Sequence, residues 1–313
     1  MLTYILRRIA ATVPVMGLVA LFVFSLLYIA PGDPAAIIAG DQATVQQIAH
    51  IRASLGLDRP FLVRFADWFW HVLHGDLGTS IFTNLPVLKM IEQRAPTTLS
   101  LMTITLVMSI AIAVPMGVLA AWKAGTWIDR TIMVMAVLGF SVPVFVVGYV
   151  LAYAFALQLP WFPVQGYVSL SHGFWPWLRS LILPSLTLGG IYIALIARIT
   201  RATMLEVLSQ DYIRTARAKG VGRREILYVH ALKNAAVPIV TIIGIGFAAL
   251  IGGAVVTESV FALPGIGRLT VDAILQRDYP VIQGVVLVFS FIYVLVNLVV
   301  DILYTVFDPR IRY

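Results

Sequence analysis

Apolar and polar stretches alternate along this chain on a scale of about 20 residues, the length that an α-helix needs to cross a hydrocarbon layer of about 30 Å. Six such apolar runs are present, at residues 9–30, 97–121, 131–158, 181–199, 236–257 and 281–306. Strands of a membrane barrel are shorter and alternate in polarity, so the pattern favours helices. The sequence therefore predicts an all-α polytopic membrane protein with six transmembrane helices.

The polar stretches divide the chain into three parts. An N-terminal segment with the first membrane helix occupies residues 1–30, a polar segment occupies 31–96, and a five-helix core occupies 97–313. In the 31–96 segment, Thr44 can cap a helix that runs through Ser54. After Pro60, apolar residues recur at helical spacing opposite a polar face, as in a helix at a membrane interface or against a partner. The core has its own polar interruption at 200–235, which is basic.

Composition and charge support this class. Hydrophobic residues make up 60% of the 313 positions and charged residues 12%, whereas soluble domains have about 45–50% and about 25%. If the N-terminus is cytoplasmic, 14 of the 22 Lys and Arg residues fall on that same side. By the positive-inside rule both termini are then cytoplasmic. The net charge of +7 is thus explained by topology rather than by nucleic-acid binding.

Motifs for catalysis and for nucleotide binding do not occur in the sequence. It contains no G-x-x-x-x-G-K-[ST], H-E-x-x-H or G-x-S-x-G pattern and no cysteine. His71 and His74 are three residues apart, but no third metal ligand accompanies them. We therefore expect no catalytic residue, no metal and no cofactor on this chain, so any ATP that drives it is hydrolysed by another chain.

Few ionisable residues fall within the apolar runs, where a buried charge is costly and rarely lacks a role. Asp301 lies one turn after Asn297 near the inner end of the sixth run, and we interpret both as structural. The expected partner of Asp301 is Arg198 or Arg201. Glu258 closes the fifth run on the outer side and is a candidate for the mouth of a path or for an interfacial carboxylate.

Glycine is frequent in the fourth and fifth apolar runs, where small residues let helix backbones approach closely. Gly189, Gly252 and Gly253 are candidates for a translocation path or gate, with close packing alone as the alternative. Pro and small residues also loosen helices that must rock for alternating access.

The interruption at 200–235 contains the most distinctive local pattern. Asp211 can begin a short helix through Lys219, and Gly220 suits its end because glycine tolerates positive φ. A second helix at 223–234 follows, so two helices form an elbow. Basic charge alone is expected of an inner loop near lipid headgroups, whereas the elbow indicates a docking surface for a soluble partner.

The loop reads DYIRTARAKGV and then HALKNA, wording that resembles the cytoplasmic loop of ABC importer permease subunits, in the dipeptide/oligopeptide/nickel branch. The general E-A-A-x3-G-x9-I-x-L-P pattern is met at three positions, Ala216, Gly220 and Leu232. Four other positions depart from it: Arg214, Thr215, His230 and Lys233.

Further matches to the branch lie along nearly the whole chain: YILRRI, PGDP, LGLDRP, GDLGTS, ILPSLTLG, ESVFALPGIGRL, RDYPVIQG and NLVVDILYTVFDPRIRY. Their order is most similar to the first of the two permease subunits.

This resemblance implies a type I ABC importer permease of the bacterial inner membrane. Such a subunit pairs with a homologous second permease, two cytoplasmic ATPases that hold ATP and Mg, and a periplasmic substrate-binding protein received by the 31–96 segment. The short loop helix would occupy a groove of an ATPase. The coupling residues that the resemblance implies are Asp211, Tyr212, Arg214, Thr215, Ala216, Arg217, Lys219 and Gly220.

The implied function is ATP-driven, binding-protein-dependent import of dipeptides or short oligopeptides. Glutathione, nickel complexes and oligosaccharides remain alternative cargoes within the family, because affinity is set largely in the separate binding protein. Outside the family, the alternatives are a secondary carrier not driven by ATP, a receptor-like membrane module and an intramembrane enzyme. The enzyme is the weakest alternative, since no nucleophile and base can be proposed.

Overall fold

A computed structural model describes residues 2–29, 35–36, 44–54 and 57–307. The PGDP motif and the end of the C-terminal motif lie outside these ranges. Within them no β-strand occurs beyond one isolated bridge between Thr79 and Pro86, so the all-α prediction is confirmed. The α-helices, in chain order, are α1 Leu2–Ile29, α2 Val45–Ser54, α3 Phe61–Leu73, α4 Val87–Trp122, α5 Trp127–Ser141, α6 Val144–Ala152, α7 Phe174–Leu208, α8 Asp211–Ala218, α9 Arg223–Glu225, α10 Leu232–Asn234, α11 Ala236–Val260, α12 Ile266–Gln276 and α13 Tyr279–Phe307. A π-helix, Tyr153–Gln158, continues α6, a short 3-10 helix occupies Leu170–His172, and a second π-helix, Ile226–Ala231, lies between α9 and α10.

Four helical segments are long and apolar enough to cross a membrane: Ala10–Leu27, Val87–Trp122, Phe174–Leu208 and Tyr279–Val299. Two bent pairs pass the same test together, Trp127–Ser141 with Val144–Gln158 at 107° and Arg223–Asn234 with Ala236–Phe247 at 61°. The described residues therefore contain four candidate spans, or six if each bent pair is one span. Each apolar run of the sequence overlaps one of these segments or pairs.

The bend between α5 and α6 occurs at Pro143. Proline has no backbone N–H and disfavours helical geometry in the residue before it. Val142 accordingly has extended dihedrals, φ −95° and ψ 126°, and α6 begins directly after the proline. An apolar run that is continuous in sequence is therefore two helices set at a steep angle.

The chain divides into two compact units. One unit contains Thr97–Arg268 and the described residues from Leu295 onward, and the other contains Leu2–Pro96 and Leu269–Val294. In the first unit α7 is the central helix, packed against α5, α6 and α11. In the second unit α3 packs against α1.

Glycine allows α4 and α7 to approach closely at two levels of the first unit. A Cβ added to Gly117 would lie 2.5 Å from Thr200 Cβ and 2.7 Å from the Ala197 carbonyl oxygen. A Cβ added to Gly189 would lie 2.8 Å from Ser109 Oγ. Both positions therefore require glycine for steric reasons, as small residues do where membrane helices cross.

In the second unit the aromatic face of α3 is packed against α1. The Phe24 ring lies between 5.3 and 5.5 Å from the rings of Phe61, Phe65 and Trp68, and the Arg64 guanidinium carbon lies 5.8 Å from the centre of the Phe24 ring. The amphipathic helix predicted after Pro60 is confirmed, and most of its aromatic side chains contact protein.

The helix predicted to begin at Thr44 is also present, as α2. Thr44 Oγ1 accepts a hydrogen bond from the Gln47 backbone N–H at 3.3 Å, and Gln47 Oε1 accepts one from the Thr44 backbone N–H at 2.8 Å. This reciprocal pair is a capping box, which satisfies two donors that a helix start otherwise leaves without partners.

Candidate functional site

The short helix α8 exposes nearly all of its side chains. Ile213 is the exception, with 0% of its surface exposed. Of the residues predicted to couple to a partner, Ala216 is half-buried and the others are exposed: Asp211, Tyr212, Arg214, Thr215, Arg217, Lys219 and Gly220. A helix held by one buried side chain, with its other faces in solvent, is suited to docking.

The C-terminal end of α8 is fixed by a Schellman motif. The Gly220 N–H donates to the Arg217 carbonyl at 3.0 Å, and the Val221 N–H donates to the Ala216 carbonyl at 3.1 Å. Gly220 has a φ of +80°, and a Cβ added there would meet nothing within 4 Å. Glycine is required here for its backbone conformation rather than for space, so the predicted helix end at Gly220 is confirmed.

The second arm of the elbow is a continuous helical segment in three pieces. α9 is followed by a π-helix, Ile226–Ala231, and then by α10, so the helix predicted at 223–234 is present with a π turn inside it. Leu227, Ala231 and Ala235 are buried against Val118 of α4 and Met204 of α7. This packing attaches the arm to the ends of two candidate membrane spans.

Tyr212 and Asn234 bring the two arms together. The hydroxyl group of Tyr212 lies beside the side chain of Asn234 at the end of the second arm, and Asn234 Nδ2 donates to the His230 carbonyl oxygen at 2.6 Å. Partial desolvation raises the pKa of the Tyr212 hydroxyl, and the neighbouring Asn234 side chain opposes the rise. Asn234 is a residue whose contribution the sequence reasoning missed.

The charges on α8 are available to a partner. Arg214 Nη1 lies 3.4 Å from Asp211 Oδ1, but the two side chains are 76% and 95% exposed, and an ion pair of this kind contributes little to stability. Beside the elbow lies a cavity of about 700 Å³, lined by seven apolar side chains together with Ser209, Arg217 and Arg223. The elbow therefore presents positive charge next to an apolar wall.

A partly buried ion pair that the sequence did not predict lies near this loop. Arg201 Nε donates to Asp129 Oδ1 at 2.5 Å, Arg201 Nη2 donates to Asp129 Oδ2 at 2.7 Å, and the Gly125 backbone N–H adds a bond of 3.0 Å. Asp129 has a side-chain exposure of 5%. The sequence predicts Arg198 or Arg201 as the partner of Asp301, whose side chain lies outside the described part of the chain. The bidentate partner of Arg201 is Asp129, which ties the start of α5 to α7.

The path candidates occupy different environments. Gly252 faces open space, whereas a Cβ added to Gly253 would lie 2.6 Å from Leu188 Cδ1. Gly189 faces α4, as described above. Glu258 is 0% exposed, with hydrogen bonds from Thr98 Oγ1 at 2.6 Å and from the Arg268 backbone N–H at 2.9 Å. Asn297 is half-buried.

The described residues contain no group of three or more His, Asp or Glu side chains placed to hold a metal ion. The ring nitrogens Nδ1 of His71 and His74 instead bond to the Asp67 and Trp70 carbonyl oxygens at 2.7 and 2.8 Å. These two histidines therefore serve the local structure of α3.

The sequence of this chain matches a known protein family. Residues 113–313 match the binding-protein-dependent transport system inner membrane component, and residues 1–102 match the N-terminal region of such membrane components. The chain is 56% identical over 310 residues to a probable peptide ABC transporter permease protein, y4tP, of Sinorhizobium fredii, covering 99% of both chains. It is 44% identical over 313 residues to the glutathione transport system permease protein GsiC of Salmonella typhimurium, covering 100% of both.

The fold is shared with a solved transporter. An inward-facing structure of the MetNI methionine ABC transporter superposes with a TM-score of 0.59 at 17% identity, covering 71% of this chain and 97% of that chain. At this identity the likeness concerns the fold alone. The family match over both regions and the near-complete coverage of the relatives show that this chain belongs to the binding-protein-dependent transport system inner membrane components, the permease subunits of ABC transporters.

Proposed function

We propose that this chain is the translocation subunit of an ATP-driven importer of dipeptides or short oligopeptides in the bacterial inner membrane. The observation that carries the proposal is α8, an exposed helix with a fixed end in a chain of a binding-protein-dependent transport family. The name of the relative from Sinorhizobium supports a peptide cargo, and glutathione is the second candidate because a 44% identical relative from Salmonella carries that name.

In the proposed topology each bent helix pair is one span, which gives six spans and places both termini and α8 in the cytoplasm. The distribution of Lys and Arg supports this orientation, because 14 of the 22 lie on the side assigned to the cytoplasm. The 31–96 segment is then periplasmic and receives the substrate-binding protein.

Coupling in this proposal is mechanical. α8 occupies a groove in one of two ATPase subunits, with Asp211, Arg214, Arg217 and Lys219 as polar contacts. When the ATPases close, α8 moves as a rigid body, because its end is fixed by the Schellman motif and because Ile213 is fully buried. The second arm passes this movement to α4 and α7 through the buried contacts of Leu227, as two-state transmission between packed elements requires.

The reaction itself belongs to the partners. ATP and Mg are held by the ATPase subunits, while this chain binds no cofactor and catalyses no reaction. A homologous second permease completes the path, which Gly189, Gly252, Gly253 and Glu258 border on this chain. The open space at Gly252 supports a lining position, and the close contact of Gly253 with Leu188 supports a place where α7 and α11 meet.

The test is uptake by the whole complex in liposomes. The two permeases and two ATPases are reconstituted with the binding protein outside, and accumulation of a radiolabelled dipeptide, glutathione and a nickel complex is measured with and without internal ATP. We expect peptide accumulation that requires ATP and the binding protein. Accumulation without ATP would support a secondary carrier and contradict the proposal, and binding without accumulation would support a receptor-like module.

A further inference from the structure

The carboxylate of Glu258, near the end of α11, is fully buried. It is 0% exposed, and a buried charged group is retained only where hydrogen bonds replace its water. Its Oε1 accepts from Thr98 Oγ1 at 2.6 Å, and its Oε2 accepts from the Arg268 backbone N–H at 2.9 Å. Each carboxylate oxygen therefore has a donor from a different part of the first unit.

The Thr98 hydroxyl makes a second bond in the same cluster. While it donates to Glu258, it accepts the Ile266 backbone N–H at 2.8 Å. Ile266 and Arg268 both begin α12, which follows the turn at 261–265. One hydroxyl of α4 thus joins the end of α11 to the start of α12.

Two glycines leave room for the carboxylate of Glu258, one at the end of this turn and one in the first turn of α12. A Cβ added to Gly265 would collide with the carboxyl group of Glu258. A Cβ added to Gly267 would lie 2.9 Å from Glu258 Oε2 and 2.7 Å from Val255 Cα. The two glycines of the LPGIG sequence are therefore explained by the close packing of the turn around Glu258.

Two apolar residues of the turn, Phe261 and Leu263, are also buried against the protein. Phe261 is 2% exposed and Leu263 is 0% exposed. The Phe261 carbonyl accepts from the Gly166 backbone N–H at 3.0 Å, and the Phe261 ring lies 3.4 Å from where a Cβ of Gly148 in α6 would be. The turn thus contacts α6 and the loop before α7 as well as α4.

We propose that Glu258 is a positioning residue that, with Thr98, locks the 261–265 turn and the start of α12 onto α4, and that this lock holds the turn as a seal of the translocation path. The inference rests on the proposed function, whose topology puts the turn on the periplasmic side. The turn contacts α4, α6 and α11, so its position depends on how these three helices are arranged. When the turn is released, ATP is hydrolysed without a matching number of peptides being imported.

The lock can be tested independently of transport, because the chain contains no cysteine. Leu263→Cys places one buried thiol in the turn of the assembled complex, and its reaction rate with a water-soluble maleimide reports release of the turn. Glu258→Gln replaces one acceptor oxygen by a donor, and Thr98→Val removes the hydroxyl. Since bonds to charged groups are among the stronger ones, we expect each variant to raise the labelling rate by about tenfold or more.

Two control variants separate the lock from a general loss of structure. Thr98→Ser keeps the hydroxyl and is expected to label slowly and import normally. Thr103→Val removes a hydroxyl from an exposed position of the same helix and is expected to match the unsubstituted complex. The transport readout is the number of peptides imported per ATP hydrolysed, which we expect to fall severalfold in Glu258→Gln and Thr98→Val.

Each alternative result overturns a defined part of the proposal. Slow labelling in both Glu258→Gln and Thr98→Val would overturn the lock itself, even if the complex proved not to import peptides. Fast labelling with an unchanged import ratio would overturn the seal, while the proposed function would stand. Thr98→Ser behaving like Thr98→Val would show that the hydroxyl is not what holds the turn.

Discussion

The Val221 backbone N–H bonds to the Ala216 carbonyl at 3.1 Å, five residues back along the chain, and this bond closes the end of α8. It forms only when the intervening glycine, Gly220, has its φ of +80°. The fixed end of the proposed docking helix therefore depends on the backbone conformation of Gly220, which has no side chain.

Replacing Gly220 by Val is expected to abolish uptake. A β-branched residue in the left-handed region costs about 1–2 kcal/mol, enough to disfavour the Schellman motif and to misdirect α8. We expect peptide uptake to fall at least about tenfold while ATP hydrolysis continues, measured in liposomes. Gly222→Val is the matched control, because Gly222 has a φ of −65° and open space around it; equal effects of the two variants would contradict the conformational explanation.

Replacing Ile213 by Ala is expected to loosen α8 from its support. Truncation of a fully buried aliphatic side chain costs about 2–5 kcal/mol, and Ile213 is the fully buried residue of α8. We expect faster hydrogen exchange at the amides of α8 and lower uptake, whereas Ile213→Val should be near normal. Unchanged exchange in Ile213→Ala would show that this side chain does not anchor the helix.

Replacing Tyr212 by Phe removes the hydroxyl that lies beside Asn234. If the two side chains interact, the loss should cost about 0.5–1.5 kcal/mol. Asn234→Ala should have the same effect on the free energy of unfolding, and the double variant should be no worse than either single one. Additive effects of the two substitutions would contradict an interaction between these side chains.

Breaking the Asp129 and Arg201 pair is expected to destabilise the protein. Asp129→Ala leaves the Arg201 charge without its partner, and because the Arg201 side chain is 28% exposed, the cost should fall below the ~3–5 kcal/mol of a fully buried pair. Asp129→Ala should lower the thermal midpoint of the solubilised protein by several degrees. Asp211→Ala, which breaks the exposed pair with Arg214, is the control and should change it little; a small effect of Asp129→Ala would mean that Arg201 is solvated without its partner.

Local features of the chain were predictable and distant pairings were not. The end of α8 at Gly220 and the start of α2 at Thr44 follow from a few neighbouring residues, and both predictions are confirmed. Asp129 bonds to a residue 72 positions away and Glu258 to one 160 positions away. No periodicity encodes such separations, so the arginine's partner and the buried lock required the folded structure.

The bend at Pro143 shows another limit of apolar patterning. Hydrophobicity identifies residues 131–158 as one apolar run. It does not show in which direction the helix axis runs along that segment. The proline decides the geometry, and it turns the run by 107°. Proline alone does not predict such a bend, because Pro14 and Pro184 lie inside the continuous helices α1 and α7. The angle at Pro143 therefore required the folded structure.

The most direct measurement of the coupling claim is a site-specific photocrosslink from α8 to an ATPase. A photoreactive amino acid is placed at Arg214, exposed on α8, or at the control position Phe82, exposed in the segment proposed to be periplasmic. In the active complex we predict a crosslink to an ATPase from position 214 and none from position 82. An active complex with no ATPase crosslink from position 214, or with equal crosslinks from both positions, would contradict the account.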